Sequence, residues 1–326
     1  MEVSVRTESW AFRYPFRISG YVWTDADVVV VEVTDGGHQG RGEALGVYYK
    51  EETAPRLREQ ILAATQRATT LKELIAITEY LPAGGAKNAL DCALWELRAQ
   101  QAGTPVWRLA GLPSAPRPVQ TTCTVGAGTP EEMASHALAF ASATALKLKL
   151  IGDGGDAERV RAVRAARPDV WVGVDGNQGF DLQTLHDVLP TLIACNVQLL
   201  EQPFPIDRDA DLDDVDSPIP IAADESVQTV NDIEALVGRF DTINIKLDKC
   251  GGLTEALRMQ ERARELGLNV MVGCMGGTSL SMAPAFIVAQ RCDVVDLDGP
   301  LLLASDRTPS AIYRNGTIDV PEEVWR

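Results

Sequence analysis

The sequence lacks the patterns that mark several common classes of protein. No apolar run in its 326 residues is long enough to span a bilayer. Its start, Met1 to Arg6, lacks the charged-then-apolar pattern of a signal peptide. No basic run stands out, and the net charge of −16 offers no positive footprint for nucleic-acid phosphates. These absences predict a cytoplasmic protein with no nucleic-acid partner and no membrane partner.

Catalytic and metal-binding signatures built on cysteine, histidine or glycine are also missing. The six cysteines are scattered and form no C-x-x-C pair, so we expect buried, reduced thiols. Only three histidines occur, and none follows a predicted strand. The chain contains no G-x-S-x-G elbow and no Gly-rich phosphate loop. Zinc sites of the Cys/His type, serine hydrolases and dinucleotide-binding folds are therefore disfavoured.

The first third of the chain reads as a mixture of strands and helices. A β-branched run at 28–33, a turn at 35–37 and a second strand at 38–49 predict an antiparallel hairpin. Apolar residues at helical spacing predict helices at about 51–68, 71–80 and 84–102. A proline-rich stretch at 112–118 then breaks the pattern. We expect an α+β capping domain over residues 1–115.

The remainder alternates short apolar strands with helical stretches. The strands are predicted at 119–125, 145–150, 170–175, 197–201, 219–224, 242–247, 269–274 and 293–298. Their starts lie 22 to 27 residues apart, which is the spacing of parallel strands with crossover helices. Eight such units predict the α/β class and a (β/α)8 TIM-type barrel over residues 116–304. The tail from about 305 to 326 is expected to return to the cap.

Charged residues close the second to the sixth of these strands, where a barrel carries its chemistry. Asp175, Glu201 and Asp224 end the third, fourth and fifth strands. Acidic residues are seldom buried unless they are paired or bound to a metal. Three hard oxygen donors on adjacent strands can converge on one Mg²⁺ ion, and the lack of paired His or Cys ligands argues against zinc.

Lysines stand on either side of that acidic cluster. Lys147 and Lys149 share one face of the second strand, and Lys246 ends the sixth strand across the barrel mouth. A partly desolvated lysine close to a dication should have a depressed pKa and can act as a neutral base. A metal flanked by two lysines suits removal of a proton α to a carboxylate, with return of a proton on the opposite face.

Several segments together resemble the muconate-lactonizing branch of the enolase superfamily. They are Lys147-Leu148-Lys149, Val174-Asp175-Gly176-Asn177, Leu200-Glu201-Gln202-Pro203, Ala223-Asp224-Glu225-Ser226, the stretch from Asn244 to Ala256, and Asn88 to Trp95 in the cap. The resemblance covers nearly the whole chain. It implies Mg²⁺ held by the three carboxylates, acid–base lysines, and a barrel exterior able to form a homo-oligomer.

Within that branch, the segment Asp296-Leu297-Asp298 resembles the D-x-D motif of the dipeptide epimerases. The family role of this motif is to hold the free α-ammonium of a dipeptide, and a charged hydrogen bond of this kind contributes about 1.5–3 kcal/mol. The resemblance therefore implies an isomerase that inverts a dipeptide at the carbon next to its carboxylate. An N-acylated substrate offers no cation to these two acids.

The cap loops predict a departure from the Ala-Glu preference found in many members of that family. Family members that act on Ala-Glu usually carry an Arg in the first cap loop, where it pairs with the distal carboxylate of the substrate. Trp23 falls at about the place of that Arg, and Tyr48 lies in a second cap loop. These aromatics predict a pocket for an apolar or aromatic second residue. Asp25 would also allow a cationic side chain on the second residue of the substrate, and Arg17 would allow an acidic one.

Two other functions remain open on sequence grounds. An N-acylamino-acid racemase, or a lyase resembling o-succinylbenzoate synthase, would use the same lysines and metal ligands. Their substrates do not call for Asp296 and Asp298. A barrel that only binds a ligand would be expected to have lost a lysine or a metal ligand, and none is missing.

Overall fold

The computed structural model describes all residues from Met1 to Arg326. The chain opens with an antiparallel sheet of three strands, β1 (Glu2–Ile18), β2 (Tyr21–Asp35) and β3 (His38–Ala44). The predicted hairpin is confirmed as β2 and β3. Strand β1 was not predicted; only one of its 17 residues is buried, and its apolar residues alternate only over short stretches.

Four helices follow, and the first three pack with the sheet around one core. They are α1 (Ala54–Thr65), α2 (Leu71–Tyr80), α3 (Gly85–Ala102) and α4 (Val106–Leu109). The side chain of Thr70 accepts a hydrogen bond from the Glu73 amide to form a capping box at the start of α2. Glycine lets α3 approach β3 closely, since a Cβ on Gly42 would overlap the carbonyl oxygen of Ala89.

The residues of β2 are buried on both faces, which explains its unbroken valine run. Val29, Val31 and Val33 pack with the cap helices, whereas Val28 and Val30 join the core that extends into the barrel. Alternate residues of a strand point to opposite faces. The strand therefore joins the two hydrophobic cores of the molecule.

Eight parallel strands form the barrel in chain order, as the sequence predicted. They are β5 (Cys123–Val125), β6 (Ala145–Lys149), β7 (Trp171–Asp175), β8 (Leu199–Glu201), β9 (Ile221–Ala223), β10 (Thr242–Lys246), β11 (Asn269–Gly273) and β12 (Val294–Asp296). Thr122 N donates to Val295 O at 2.9 Å and links the first strand to the last. The barrel is nearly closed.

The outer helices are more uneven than the regular spacing suggested. They are α5 (Pro130–Ala139), α6 (Asp156–Ala166), α7 (Leu182–Ala194), α8 (Ile233–Leu236), α9 (Leu247–Cys250), α10 (Leu253–Glu265), α11 (Ser279–Ala289) and α12 (Gly299–Leu302). A 3₁₀ segment, Ile206–Asp214, replaces the helix after β8. Repeated aspartates there favour local turns and repel one another in an α-helix.

The C-terminal tail contacts both parts of the molecule. Strand β14 (Thr317–Asp319) pairs on one side with β13 (Ile312–Arg314) and on the other with β4 (Val119–Gln120). Farther on, Trp325 Nε1 donates to Arg41 O in the cap at 2.9 Å. The division into 1–115, 116–304 and a returning tail stays a prediction. None of the helices combines the length and apolarity that a bilayer crossing would need.

Candidate active site

The carboxyl ends of the barrel strands bring the predicted site residues together. Asp175 and Glu201 end their strands, and Asp224 directly follows β9. One cavity opens between these strand ends and the cap loops. It is lined by Lys147, Lys149, Lys246, Asp224, Asp296, Asp298, Trp23 and Tyr48 among others. Asp175 and Glu201 are fully buried next to it.

The three predicted metal ligands form a compact, buried acidic triad. One carboxylate oxygen from each of Asp175, Glu201 and Asp224 lies within 4.8 Å of the others. Glu201 Oε2 lies 2.7 Å from Lys147 Nζ but outside hydrogen-bond geometry, so this buried oxygen has no hydrogen-bond partner. Buried carboxylates of this density need a compensating cation. The donor set fits a hard divalent ion such as Mg²⁺.

A lysine contacts each end of the triad. Lys149 Nζ lies 2.6 Å from Asp175 Oδ2, and Lys246 Nζ lies 2.6 Å from Asp224 Oδ2. The two lysines come from the second and the sixth barrel strands, so they reach the triad from opposite sides. Both line the cavity. A substrate atom held above the triad would therefore have an ammonium or amine group on either face.

Lys147 lies between the triad and the D-x-D segment. Its Nζ is 3.2 Å from Asp175 Oδ2 and 2.9 Å from Asp296 Oδ2, in addition to the Glu201 contact. The side chain is almost completely buried. This lysine compensates negative charge from both groups of acids and links them.

The buried charges shift one another's pKa values strongly. Burial raises the pKa of Asp175, but Lys149 and Lys147 outweigh it and lower that pKa to about 2. Burial and the Asp175 charge raise the pKa of Glu201 to about 8. Burial disfavours the charged form of Lys246, yet contact with Asp224 raises its pKa well above the usual value. A neutral lysine base therefore requires that a cation compensate the carboxylate charge.

Asp296 and Asp298 face the cavity from the end of the eighth strand. Thr122 Oγ1 donates to Asp296 Oδ1 at 2.5 Å, and the backbone amide of Thr124 donates to Asp298 Oδ2. Burial and the neighbouring Asp296 raise the pKa of Asp298 to about 7. Contact with Lys147 outweighs burial and lowers the pKa of Asp296. An ammonium group of a ligand would stabilise the charged form of both.

An aromatic cluster from the cap forms one wall of the cavity. The Trp23 ring stacks on Tyr21, with centroids 5.4 Å apart, and meets Tyr48 edge-on at 5.3 Å. Tyr48 in turn contacts Tyr49 at 5.1 Å. Phe16 stacks on the other side of Trp23 at 6.3 Å. The rings offer a largely apolar surface, which suits an apolar or aromatic group.

The cap side of the cavity carries acids but no arginine. Asp25, Asp27 and Glu52 line it, whereas its only cationic side chains are the three barrel lysines. Glu52 Oε2 accepts hydrogen bonds from the amides of Val47 and Gly85, which holds the loop that carries Tyr48. Arg17 is exposed and does not line the cavity. Nothing at the cap therefore complements a carboxylate on a substrate side chain.

Sequence reasoning gave no role to several residues that the structure ties to the site. Asp248 Oδ1 accepts hydrogen bonds from the amides of Leu45 and Gly46, so the barrel also holds the cap loop. Glu225 lines the cavity with its buried Oε2 unpartnered, and its Oε1 lies 3.5 Å from the Tyr48 hydroxyl. Their positions after the strands were visible in the sequence, but their partners were not.

Fold and site together define a capped barrel with a buried acidic triad between two lysines. Residues 1–111 match the N-terminal domain of the mandelate racemase / muconate lactonizing enzyme family. Residues 132–324 match the enolase C-terminal domain-like family. The chain belongs to the mandelate racemase / muconate lactonizing enzyme branch of the enolase superfamily, as its motifs predicted.

Three curated relatives are similar over most of the chain. An L-Ala-D/L-Glu epimerase of Escherichia coli (strain K12) is 38% identical, covering 97% of this chain and 98% of that protein. An N-acetyl-D-glutamate racemase of Pseudoalteromonas is 39% identical, covering 89% and 91%. A hydrophobic dipeptide epimerase of Roseobacter litoralis is 36% identical, covering 97% and 95%.

Solved structures give the same picture of the fold. An enolase family member from Agrobacterium tumefaciens, with bound sodium and L-Ala-L-Glu, superposes with a TM-score of 0.93 at 38% identity and 99% coverage of both chains. A dipeptide epimerase from Cytophaga hutchinsonii, in complex with Mg and D-Ala-L-Val, gives a TM-score of 0.90 at 29% identity, covering 98% of this chain and 92% of that one.

Proposed function

We propose that the protein is a Mg²⁺-dependent dipeptide epimerase, an isomerase that inverts the α-carbon next to the substrate carboxylate. One observation carries the proposal. Lys149 and Lys246 contact opposite ends of a buried acidic triad, inside a cavity that also contains Asp296 and Asp298. On this proposal, one cavity contains the acid–base groups, the cation site and the ammonium site.

Asp175, Glu201 and Asp224 would hold the metal ion. When bound, Mg²⁺ supplies Lewis-acid stabilisation of the negative charge that develops on the substrate carboxylate. Lys149 and Lys246 would be the acid–base groups. One lysine would remove the α-proton, and the other would return a proton to the opposite face of the α-carbon.

Asp296 and Asp298 would bind the free α-ammonium of the dipeptide. Both are buried, and Lys147 compensates only the first of them. A charged hydrogen bond to such a carboxylate is worth about 1.5–3 kcal/mol. The same pair would disfavour an N-acylated substrate, which leaves both acids without a ligand cation.

The side chain of the second residue would lie against the aromatic wall. Trp23 and Tyr48 favour an apolar or aromatic side chain over the glutamate of L-Ala-L-Glu, and the absence of arginine in the cavity points the same way. The relative from Roseobacter litoralis is named a hydrophobic dipeptide epimerase.

An N-acylamino-acid racemase is the alternative that a specific observation favours. The relative from Pseudoalteromonas is named for an N-acetylated substrate at 39% identity. The lysines and the triad would serve that reaction unchanged, as they would serve an o-succinylbenzoate synthase-like lyase. Only Asp296 and Asp298 separate the hypotheses.

The decisive experiment is incubation with Mg²⁺ in D₂O, with mass spectrometry of the products. A library of L,L-dipeptides and a matched set of N-acetyl amino acids would be tested in parallel. We expect a one-dalton gain in dipeptides with apolar or aromatic second residues. A gain in the N-acetyl set alone would overturn the proposal.

The variant Asp298→Asn refines the same experiment. The amide oxygen can still accept from Thr124 N, so the loop is expected to keep its shape. We expect kcat/KM for dipeptides to fall roughly 10- to 100-fold, in line with one lost charged hydrogen bond. Equal turnover of dipeptides by the variant and the parent would refute the ammonium role of Asp298.

A further inference from the structure

The two oxygens of Asp224 are held by two different lysines. Oδ2 lies 2.6 Å from Lys246 Nζ, and Oδ1 lies 2.6 Å from Lys249 Nζ. Lys246 lines the cavity, whereas Lys249 does not and is only 1% exposed. Lys249 therefore cannot reach a substrate, although it contacts the same carboxylate as the proposed acid–base lysine.

All three donors of the Lys249 ammonium group are used. Besides Asp224 Oδ1, it donates to the backbone carbonyl oxygens of Asp224 and of Asn244, the latter at 3.0 Å. An ammonium group has three donors and no acceptor, so its hydrogen bonding is complete. These bonds fix the side chain and the backbone of Asp224 at the same time.

The network extends to a second carboxylate of the triad. Asn244 Nδ2 donates to Glu201 Oε1 at 2.9 Å, while the carbonyl oxygen of Asn244 accepts from Lys249. Helix α9 carries Lys249 directly after β10, which carries Asn244 and Lys246. One short segment thus supplies both the cavity lysine and the groups that hold two of the three acids.

We propose that Lys249 is a positioning residue for the metal site. It occupies Asp224 Oδ1 permanently, so that Asp224 presents Oδ2 to the cation and Lys246 can leave Asp224 for the substrate. The role assigned to Lys246 rests on the proposed function, whereas the role of Lys249 at the cation site does not.

Charge and position predict opposite effects of removing this lysine. As a positive charge close to a ligand carboxylate, Lys249 repels a cation, so a neutral residue would tighten metal binding if charge alone mattered. As a positioning group, Lys249 holds the carboxylate in place, so its loss would weaken metal binding. Loss of a group that orients a metal ligand typically costs about 10- to 100-fold in affinity.

The test is Mn²⁺ binding to the purified protein, measured by electron paramagnetic resonance, in the parent and in Lys249→Met. We expect the Kd to rise about 10- to 100-fold in the variant. An unchanged or lower Kd would overturn the proposal. The control is Met259→Ala, a cavity-creating change at a fully buried residue of α10 outside the cavity lining, which should keep the parental Kd.

A second variant covers the case in which Lys249→Met does not fold, as judged by circular dichroism. Lys249→Gln keeps two donors in a side chain that is neutral, so folding is better preserved. We expect a raised Kd for Mn²⁺ here also. A parental or lower Kd in folded Lys249→Gln would overturn the proposal equally.

Proton exchange supplies a readout that general destabilisation would not move. The substrate enantiomer that still exchanges in Lys149→Ala is the one served by Lys246. We expect Lys249→Met to slow exchange of that enantiomer more than exchange of the other, because Lys246 then becomes the only lysine left on Asp224. Equal losses would contradict the proposal. Absence of exchange in the parent would reject the proposed function, and the Mn²⁺ comparison would still decide the role of Lys249.

Discussion

At the scale of single residues, the site is an arrangement of opposite charges in direct contact, with lysine nitrogens 2.6–3.2 Å from carboxylate oxygens. Each carboxylate of the triad has at least one lysine within 3.2 Å, and contact with the acids raises the pKa values of Lys147 and Lys246. Such an arrangement favours the protonated form of these two lysines as long as no other cation compensates the acids. In the proposed mechanism, a bound dication would compensate the acids and leave Lys149 and Lys246 free for acid–base chemistry.

Replacement of Lys149 or Lys246 by alanine should abolish epimerisation but leave exchange of the α-proton of one enantiomer. In Lys149→Ala and Lys246→Ala we expect epimerisation to fall at least about 10²-fold, because one face of the α-carbon loses its proton donor or acceptor. Each variant should still exchange the α-proton of one enantiomer, measured by deuterium uptake from D₂O. Lys72→Ala, an exposed lysine on α2, is the control. Full epimerisation by either variant would refute the two-lysine mechanism.

The residue types at the strand ends were readable in the sequence, but their partners were not. Asp175, Glu201 and Asp224 stood out because acids rarely end apolar strands without a reason. Lys249 stood in a recognised motif, yet nothing in its position indicated that its side chain turns back to Asp224. Hydrogen bonds across the barrel depend on side-chain direction, which linear spacing does not contain.

At the scale of secondary-structure elements, two carboxylates hold the cap loop, one from the barrel and one from the cap itself. Asp248 binds the amides of Leu45 and Gly46, and Glu52 binds those of Val47 and Gly85. The loop therefore presents Tyr48 and Tyr49 in fixed positions. Strand β2 presents Trp23 beside them, and its ring meets that of Tyr48 edge-on.

Removal of Trp23 should lower affinity for large side chains selectively. We expect Trp23→Ala to raise KM roughly tenfold for L-Ala-L-Phe, since an aromatic contact is worth about 0.5–1.5 kcal/mol beyond its buried area. kcat should change little, and KM for L-Ala-L-Ala should stay near the parental value. Tyr80→Ala, which removes an aromatic ring that is 87% exposed, is the matched control. Equal changes for both dipeptides would show that Trp23 supports the fold rather than the pocket.

The secondary-structure elements also show which parts of the fold a sequence pattern predicts and which it does not. Helix α2 was predicted at 71–80 and is found there, because its apolar spacing and its capping box agree. Strand β1 was missed, since only one of its 17 residues is buried and its apolar alternation is broken into short pairs such as Val3/Val5 and Trp10/Phe12. The segment Ile206–Asp214 had the length for a helix but carries aspartates that oppose one.

At the scale of the whole molecule, cap and barrel share one buried ion pair. Glu43 of β3 is 1% exposed and accepts hydrogen bonds from Thr278 N and Oγ1 at the start of α11. Arg307 of the tail donates to Glu43 Oε2 at 2.6 Å and also to Glu8 Oε2 in β1 at 2.6 Å. Three distant parts of the chain therefore meet at a single carboxylate.

This pair should matter more for stability than any exposed ion pair of the protein. Arg307→Met leaves Glu43 buried with only Thr278 as partner, and breaking a buried pair in this way costs about 3–5 kcal/mol. We expect a lower urea midpoint by circular dichroism, and a raised KM because the cap no longer holds its position over the cavity. Arg161→Met, which removes an exposed pair with Glu158 on α6, should leave the midpoint almost unchanged. The double variant Glu43→Gln with Arg307→Met should recover part of the loss, since it buries no unpaired charge. If the single and double variants unfold at the same midpoint as the parent, the cap must be held by its apolar core alone.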